Sequence, residues 1–220
     1  MKKTFIIANW KSNKTESEAK NWLSAIVYLR NQELSNKEII VCPSSIHLPA
    51  MRAYIEEQKL PIRLGAQDIS SFDEGAYTGE VNGKQIKELA DYVLIGHSER
   101  RSKLFENENL IKEKVLMAKK YKLTPIFFVQ DKTTFIPKDV AIVVYEPPSS
   151  ISPGIPDTPE NADSVAAYFK ANFQVPNVLY GGSVTATNIN SFTKMPNING
   201  ALIGRASLDA KEFYKIIQNA

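Results

Sequence analysis

Short runs of β-branched and aliphatic residues alternate along the chain with stretches whose apolar positions recur every three to four residues. The first pattern suits strands buried on both faces and the second suits amphipathic helices, so together they predict a parallel sheet covered by helices. Eight strands are expected, over residues 5–9, 38–42, 63–67, 92–95, 124–129, 140–145, 178–180 and 200–203. Between the first two, residues 17–30 place Ala19, Trp22, Leu23, Ile26 and Val27 on one helical face, with Lys and Glu on the other. Residues 110–121 repeat that pattern, and further helices are expected over 49–58, 84–89, 159–172 and 209–218, Pro159 being suited to a first helical turn. Seven helices in all suit the chain, six of them at the positions given. Residues 131–139 hold Pro137 and two Thr and are too short for a full helix, so the unit after the fifth strand is predicted to be abridged.

Eight strands at roughly 27 residues per unit fit an α/β chain folded as one (β/α)8 barrel over residues 1–220, near the short end of that fold's size range. A doubly wound open sheet is the alternative. No linker, low-complexity tract or helical repeat divides the chain. Composition narrows the function classes. A net charge of +3, from 27 basic and 24 acidic residues without a dense basic run, argues against nucleic acid and membrane surfaces as partners. Cys42 is the single cysteine, so no intramolecular disulfide can form. The apolar run at the start breaks at Asn9, too early for a secretion signal, and no stretch approaches the roughly 20 apolar residues of a membrane span. These features predict a cytoplasmic protein.

In a barrel of this kind, chemistry sits just beyond the C-terminal ends of the strands. Polar segments occupy five such places: Asn9-Trp10-Lys11, Gly96-His97-Ser98-Glu99-Arg100-Arg101, Tyr145-Glu146-Pro147-Pro148, Tyr180-Gly181-Gly182-Ser183 and Gly204-Arg205-Ala206-Ser207-Leu208. With Thr78-Gly79-Glu80, these segments resemble the triosephosphate isomerase family, in the correct order and over nearly the whole chain. The resemblance implies a TIM barrel that interconverts dihydroxyacetone phosphate and D-glyceraldehyde 3-phosphate through an enediolate. It implies neither metal nor organic cofactor, and it places the enzyme in glycolysis and gluconeogenesis.

The residues themselves suit those roles. Glu146 leaves a buried strand and is stiffened by the two prolines that follow, as a general base requires. His97 precedes a helix-like stretch whose N–H dipoles disfavour the imidazolium; that a neutral imidazole acts in this enzyme is a known case and is taken from the resemblance. Lys11 supplies positive charge for the phosphate and the developing enediolate, Asn9 a donor beside it, and Glu99 resembles the family's inner carboxylate, paired with Lys11. Gly182 and Gly204 allow backbone N–H groups to approach a phosphate, and the amides of Ser152, Ser183, Gly204 and Arg205 are the expected phosphate donors. Ser17, Trp22, Phe127 and Phe128 call only for core packing, and His47 for the ordinary reading of a buried, hydrogen-bonded histidine.

Three departures from the family pattern stand out. The lid reads Ile151-Ser152-Pro153-Gly154 where the family has Ile-Gly-Thr-Gly, the second glycine of the last loop is Arg205, and the family's Cys and Glu after the fifth strand are matched by Phe128 and Asp131. The shortening after that strand resembles the compact archaeal form, whose members form tetramers, while residues 75–80 resemble the arm of the usual dimer. A homodimer and a homotetramer both remain open. An isomerase of another phosphorylated sugar, or a catalytically weak phosphate-binding scaffold, is the alternative function.

Overall fold

The computed structural model describes residues 2–34, 36–138, 140–150 and 155–220. Eight parallel strands close into a barrel in chain order: β1 (Thr4–Asn9), β2 (Lys37–Cys42), β3 (Ile62–Ala66), β4 (Tyr92–Ile95), β5 (Thr124–Val129), β6 (Ile142–Tyr145), β7 (Asn177–Tyr180) and β8 (Ile198–Ile203). Pairing of β1 with β8, in the register Phe5 to Gly200 through Ala8 to Ile203, closes the cylinder and rules out the open sheet. Eight α-helices are present among the described residues: α1 (Glu16–Ala25), α2 (Leu48–Glu57), α3 (Gly83–Lys87), α4 (Ser98–Lys103), α5 (Glu108–Lys120), α6 (Pro159–Phe173), α7 (Ile189–Thr193) and α8 (Ala210–Asn219).

Side chains alternate between two apolar layers. Phe5, Ile7, Ile40, Cys42, Leu94, Ile126, Phe128, Val144, Leu179 and Leu202 fill the barrel, whereas Ile6, Ala8, Ile39, Val41, Val143 and Ile203 join the layer packed under the helices. This period of two sets the direction of the site residues. Asn9 lies two positions beyond inward-facing Ile7, Glu146 two beyond Val144, Gly181 two beyond Leu179 and Gly204 two beyond Leu202, all at the same end of the barrel.

Local signals account for the helix starts. Thr15 caps α1 and Asn82 caps α3 with reciprocal capping boxes, while Asn107, Thr158 and Asp209 accept from backbone N–H groups at the starts of α5, α6 and α8. The helix expected over 17–30 ends early as an α-helix. It tightens into a 3-10 turn over Val27–Asn31, where Leu29 N–H bonds Ile26 O at 3.0 Å, and i, i+3 stacking brings fully buried Ile26 and Leu29 onto one side. Between β5 and β6 the described residues form turns and no helix, in line with the predicted abridgement. Ser17 lies exposed on α1, so local hydrogen bonding to Thr15, rather than packing, is its role. Among the described residues no helix is long and apolar enough to cross a membrane.

Candidate active site

At the C-terminal end of the barrel the chain leaves a cleft of about 720 Å³ lined by Asn9, Lys11, Glu99, Glu146, Ser183, Gly204 and Arg205, with Ser150, Gly181 and Thr185 among others. His97 lies beneath this surface, 4% exposed, with Nε2 3.6 Å from Glu146 Oε1. The residues expected after β1, β4, β6, β7 and β8 therefore converge. Ser152 lies outside the described residues, as do its neighbours at 151, 153 and 154.

Gly96 makes the turn after β4. Its φ of +75° is a left-handed conformation that turns His97 away from the outward register it would otherwise follow, and a Cβ there would meet Arg101 Nη2 at 2.8 Å. His97 then caps α4 in an unusual sense: its Nδ1 accepts the Glu99 N–H at 3.1 Å. That bond assigns the proton to Nε2, which has no hydrogen-bond partner among the described residues. The ring packs edge-on to Phe128 at 4.7 Å, so Phe128 shields the imidazole as well as filling the barrel. Burial, reinforced by the positive charges of Lys11 and Arg100 and opposed by Glu99, lowers the His97 pKa to about 4. The imidazole is neutral near pH 7 and offers one N–H.

Glu146 is 5% exposed. Burial raises its pKa to about 7, outweighing the hydrogen bond from Ser98 and the charge of Lys11, which lower it. Ser98 Oγ donates to Glu146 Oε2 at 2.7 Å, and the Glu146 N–H bonds Val129 O at 2.9 Å. The same environment thus drives the two groups apart: the Glu146 carboxyl holds its proton to higher pH and the His97 imidazolium loses its proton at lower pH. Oppositely tuned pairs of this kind mark acid–base sites.

Lys11 adopts a left-handed φ of 53°, a strained choice for a residue with a side chain. Its backbone is gripped on both sides: the N–H donates to Asn9 Oδ1 at 3.1 Å, and the carbonyl accepts from Gln67 Nε2 at 2.9 Å and Ser44 Oγ at 3.3 Å. Its Nζ meets Glu99 Oε1 at 2.7 Å. Burial works against the Glu99 carboxylate, but the Lys11 hydrogen bond and charge prevail and hold its pKa low. Gln67 had no sequence motif to announce it; its place one residue past β3 was the available signal. Ser98 lay within a recognised segment, but its hold on Glu146 spans 48 positions.

The opposite wall is backbone-rich. Ser183, with φ 51°, sends its hydroxyl to Ser150 O at 2.8 Å, and Gly204 precedes the 3-10 turn Arg205–Leu208. Arg205 is exposed at the rim. Gly182 does not line the cleft: a Cβ there would meet Tyr180 Oη at 2.4 Å and Ser150 Cβ at 2.6 Å, so close packing behind the loop explains its glycine. His47, as expected, is a buried packing residue, its Nε2 2.8 Å from Lys14 O.

A family model described as triosephosphate isomerase matches residues 4–220. The triosephosphate isomerase of Mesomycoplasma hyopneumoniae (strain 7448) is 36% identical over 244 aligned positions, covering 99% of this chain and 100% of that protein. That of Shewanella frigidimarina (strain NCIMB 400) is 32% identical over 253 positions, covering 98% and 96%, and that of Shewanella sp. (strain MR-4) is 33% identical with the same coverage.

Proposed function

The chain belongs to the triosephosphate isomerase family, and from that premise we propose that its cleft interconverts dihydroxyacetone phosphate and D-glyceraldehyde 3-phosphate with Glu146 as the single base. The observation that carries the site assignment is the pair of buried, oppositely tuned groups, Glu146 and His97, set 3.6 Å apart beside Lys11. Glu146 removes a proton from the carbon next to the carbonyl, and the electrons move onto the carbonyl oxygen to give an enediolate. The His97 Nε2–H stabilises that oxygen, and the positive charge of Lys11, with Asn9 beside it, offsets the charge that develops. The hydroxyl proton of the enediolate passes to the former carbonyl oxygen, the proton on Glu146 is delivered to the neighbouring carbon, and the carbonyl re-forms at the first carbon, so the carboxylate is regenerated. Glu99 orients Lys11 through the ion pair and orders His97 through its own N–H.

The phosphate is assigned to the other wall, with the amides of Ser183, Gly204 and Arg205 as donors and Ser152 completing the set from the lid. Gly182 supports this wall from behind. The reading includes a place in glycolysis and a cytoplasmic enzyme that assembles as a homodimer, a homotetramer being the alternative. Support for self-association is the exposed pair Phe72 and Tyr77, stacked 4.2 Å apart in the loop that carries residues 75–80.

The test is a coupled assay with D-glyceraldehyde 3-phosphate on the pure, folded protein, with the association state measured by sedimentation. Turnover blocked by a phosphate-bearing transition-state analogue is the expected result. Folded protein that binds phosphate and does not turn over the triose would favour the scaffold reading.

A further inference from the structure

The helix that carries Ser98 and Glu99 has no apolar residue of its own. α4 reads Ser-Glu-Arg-Arg-Ser-Lys, and Ser98 is its one buried residue. Six residues do not sustain a helix by propensity, and this one presents no hydrophobic face to dock. Yet Ser98 holds Glu146, Glu99 pairs with Lys11, and the Glu99 N–H fixes the His97 tautomer.

Arg101 ties α4 to Gly96 O at 2.7 Å and lies over the Phe127 ring, and the helix's other anchor is an ionic cluster outside the cleft. Arg100 Nη2 meets Asp68 Oδ2 at 2.6 Å, and Arg100 Nε donates to Glu106 Oε1 at 2.6 Å. Lys114, on α5, donates to Asp68 Oδ1 and Oδ2 at 2.7 and 2.8 Å and also to Glu106 Oε1. The Lys114 and Glu106 side chains are 5% and 2% exposed. Two carboxylates balance two cations, which makes burial tolerable, whereas removing one partner leaves a buried charge uncompensated. None of the four residues lines the cleft. The connection to the cleft runs through sequence neighbours: Asp68 follows Gln67, whose amide holds the Lys11 carbonyl, and Arg100 follows Glu99, whose carboxylate holds the Lys11 ammonium. Fastening residue 68 to residue 100 therefore closes a clamp on Lys11 from its two ends.

We infer that Asp68, Arg100, Glu106 and Lys114 are positioning residues for catalysis, which hold α4 against the end of β3 and thereby set Lys11, His97 and Glu146 in register. This rests on the isomerase reading above. The cluster acts on the proton-transfer side, so loosening it lowers kcat and spares the phosphate wall formed after β7 and β8.

The experiment measures kcat and KM with D-glyceraldehyde 3-phosphate, and inorganic phosphate as competitive inhibitor, for the full chain and its variants. Lys114→Met is expected to lower kcat about 30-fold with the phosphate inhibition constant within about threefold, since a misplacement near 1 Å can cost two orders of magnitude. Lys114→Arg, which keeps the charge, is expected to return kcat to within about fivefold of the parent. Should Lys114→Met fail to fold, the double variant Lys114→Met with Glu106→Met removes a charge pair together and is the tolerated form; it is expected to fold with kcat still reduced at least about tenfold, because Arg100 loses one of its two carboxylates. A folded variant of either kind with kcat within threefold of the parent overturns the inference, as does equal loss of kcat and phosphate binding, or Lys114→Arg as impaired as Lys114→Met. An inactive parent overturns the isomerase reading and this one with it; an active parent with unaffected variants overturns this one alone.

Discussion

On the side of the cleft formed beyond β4 and β6, the working groups are side chains taken out of water: His97 is 4% exposed and Glu146 5%. On the side formed beyond β7 and β8, Ser183 and Gly204 are half-buried, Arg205 is exposed, and what they offer is largely backbone N–H. The difference follows from the two tasks. A proton moves at neutral pH only between groups whose affinities have been shifted, and burial is the strongest means of shifting them. A phosphate dianion needs several donors converging without the cost of dehydrating a protein charge, and backbone amides at turns serve that need. Lys11 joins the two walls, partly exposed and strained in its backbone, with an ammonium that is paired to Glu99 and lines the cleft where an anion would bind.

The largest effect is expected where the buried wall is shortened by one methylene. Glu146→Asp should lower kcat by about 10²- to 10³-fold and leave KM within a few-fold, because the base is misplaced while the phosphate wall is intact. Steady-state kinetics check this, and near-native turnover would remove Glu146 from the role. Lys11→Met comes next. A charge that is useful mainly when an anion is bound should, on removal, weaken a phosphate-bearing transition-state analogue by about 10²-fold while Tm moves little. Calorimetry of both quantities decides it, and unchanged analogue affinity would make Lys11 structural.

Burial of the base also leaves a thermodynamic trace. The Glu146 pKa is raised from 4.5 to about 7, so the folded state holds a proton that the unfolded chain has released across that interval. Stability contributed at this site therefore falls as pH rises from 4.5 to 7. Glu146→Gln removes the titration and can still accept from Ser98. It should match the parent near pH 4 and exceed its unfolding free energy by about 3 kcal/mol at pH 8, the span of the shift converted at 1.36 kcal/mol per pH unit. His97, lowered to about 4, titrates in both proteins and drops out of the difference. Urea titrations at several pH values provide the check; a pH-independent difference would show that Glu146 is not desolvated in solution. The smallest effect belongs to the open wall. Arg205→Ala keeps the backbone N–H and removes an exposed side chain, so KM should change by no more than about threefold and stability by about 0.5 kcal/mol or less. A tenfold rise in KM would show the guanidinium to be a phosphate ligand.

The contrast between the walls also explains what could be read before any coordinates. Strands β4 and β5 were legible to the residue, because runs such as Tyr92–Ile95 and Thr124–Val129 are apolar on both faces and end at turn signals. The inward register then carries Asn9 and Glu146 into the cleft without further information. Helices α4 and α7 were less legible: the first has no apolar residue and the second, Ile-Asn-Ser-Phe-Thr, is too short for a periodic signal. Long-range polar contacts were hidden altogether. Ser98 to Glu146 and Gln67 to Lys11 join distant segments, and side-chain hydrogen bonds of that kind leave no pattern along the chain. Gly182 carries a related ambiguity, since a glycine demanded by close packing to Tyr180 and Ser150 looks the same in sequence as one that clears a path to a ligand.

The central claim is that Glu146 is the group that takes a proton from one carbon and delivers one to the other, and solvent exchange tests it most directly. With dihydroxyacetone phosphate in D₂O, the parent should form glyceraldehyde 3-phosphate carrying deuterium at C2, followed by NMR, because a protonated carboxyl exchanges with solvent before it returns its proton. Glu146→Gln, folded and still binding inorganic phosphate, should incorporate deuterium at least about 10³-fold more slowly, the loss expected when the group that acts only in the transition state is removed. Exchange by that variant within tenfold of the parent would contradict the account.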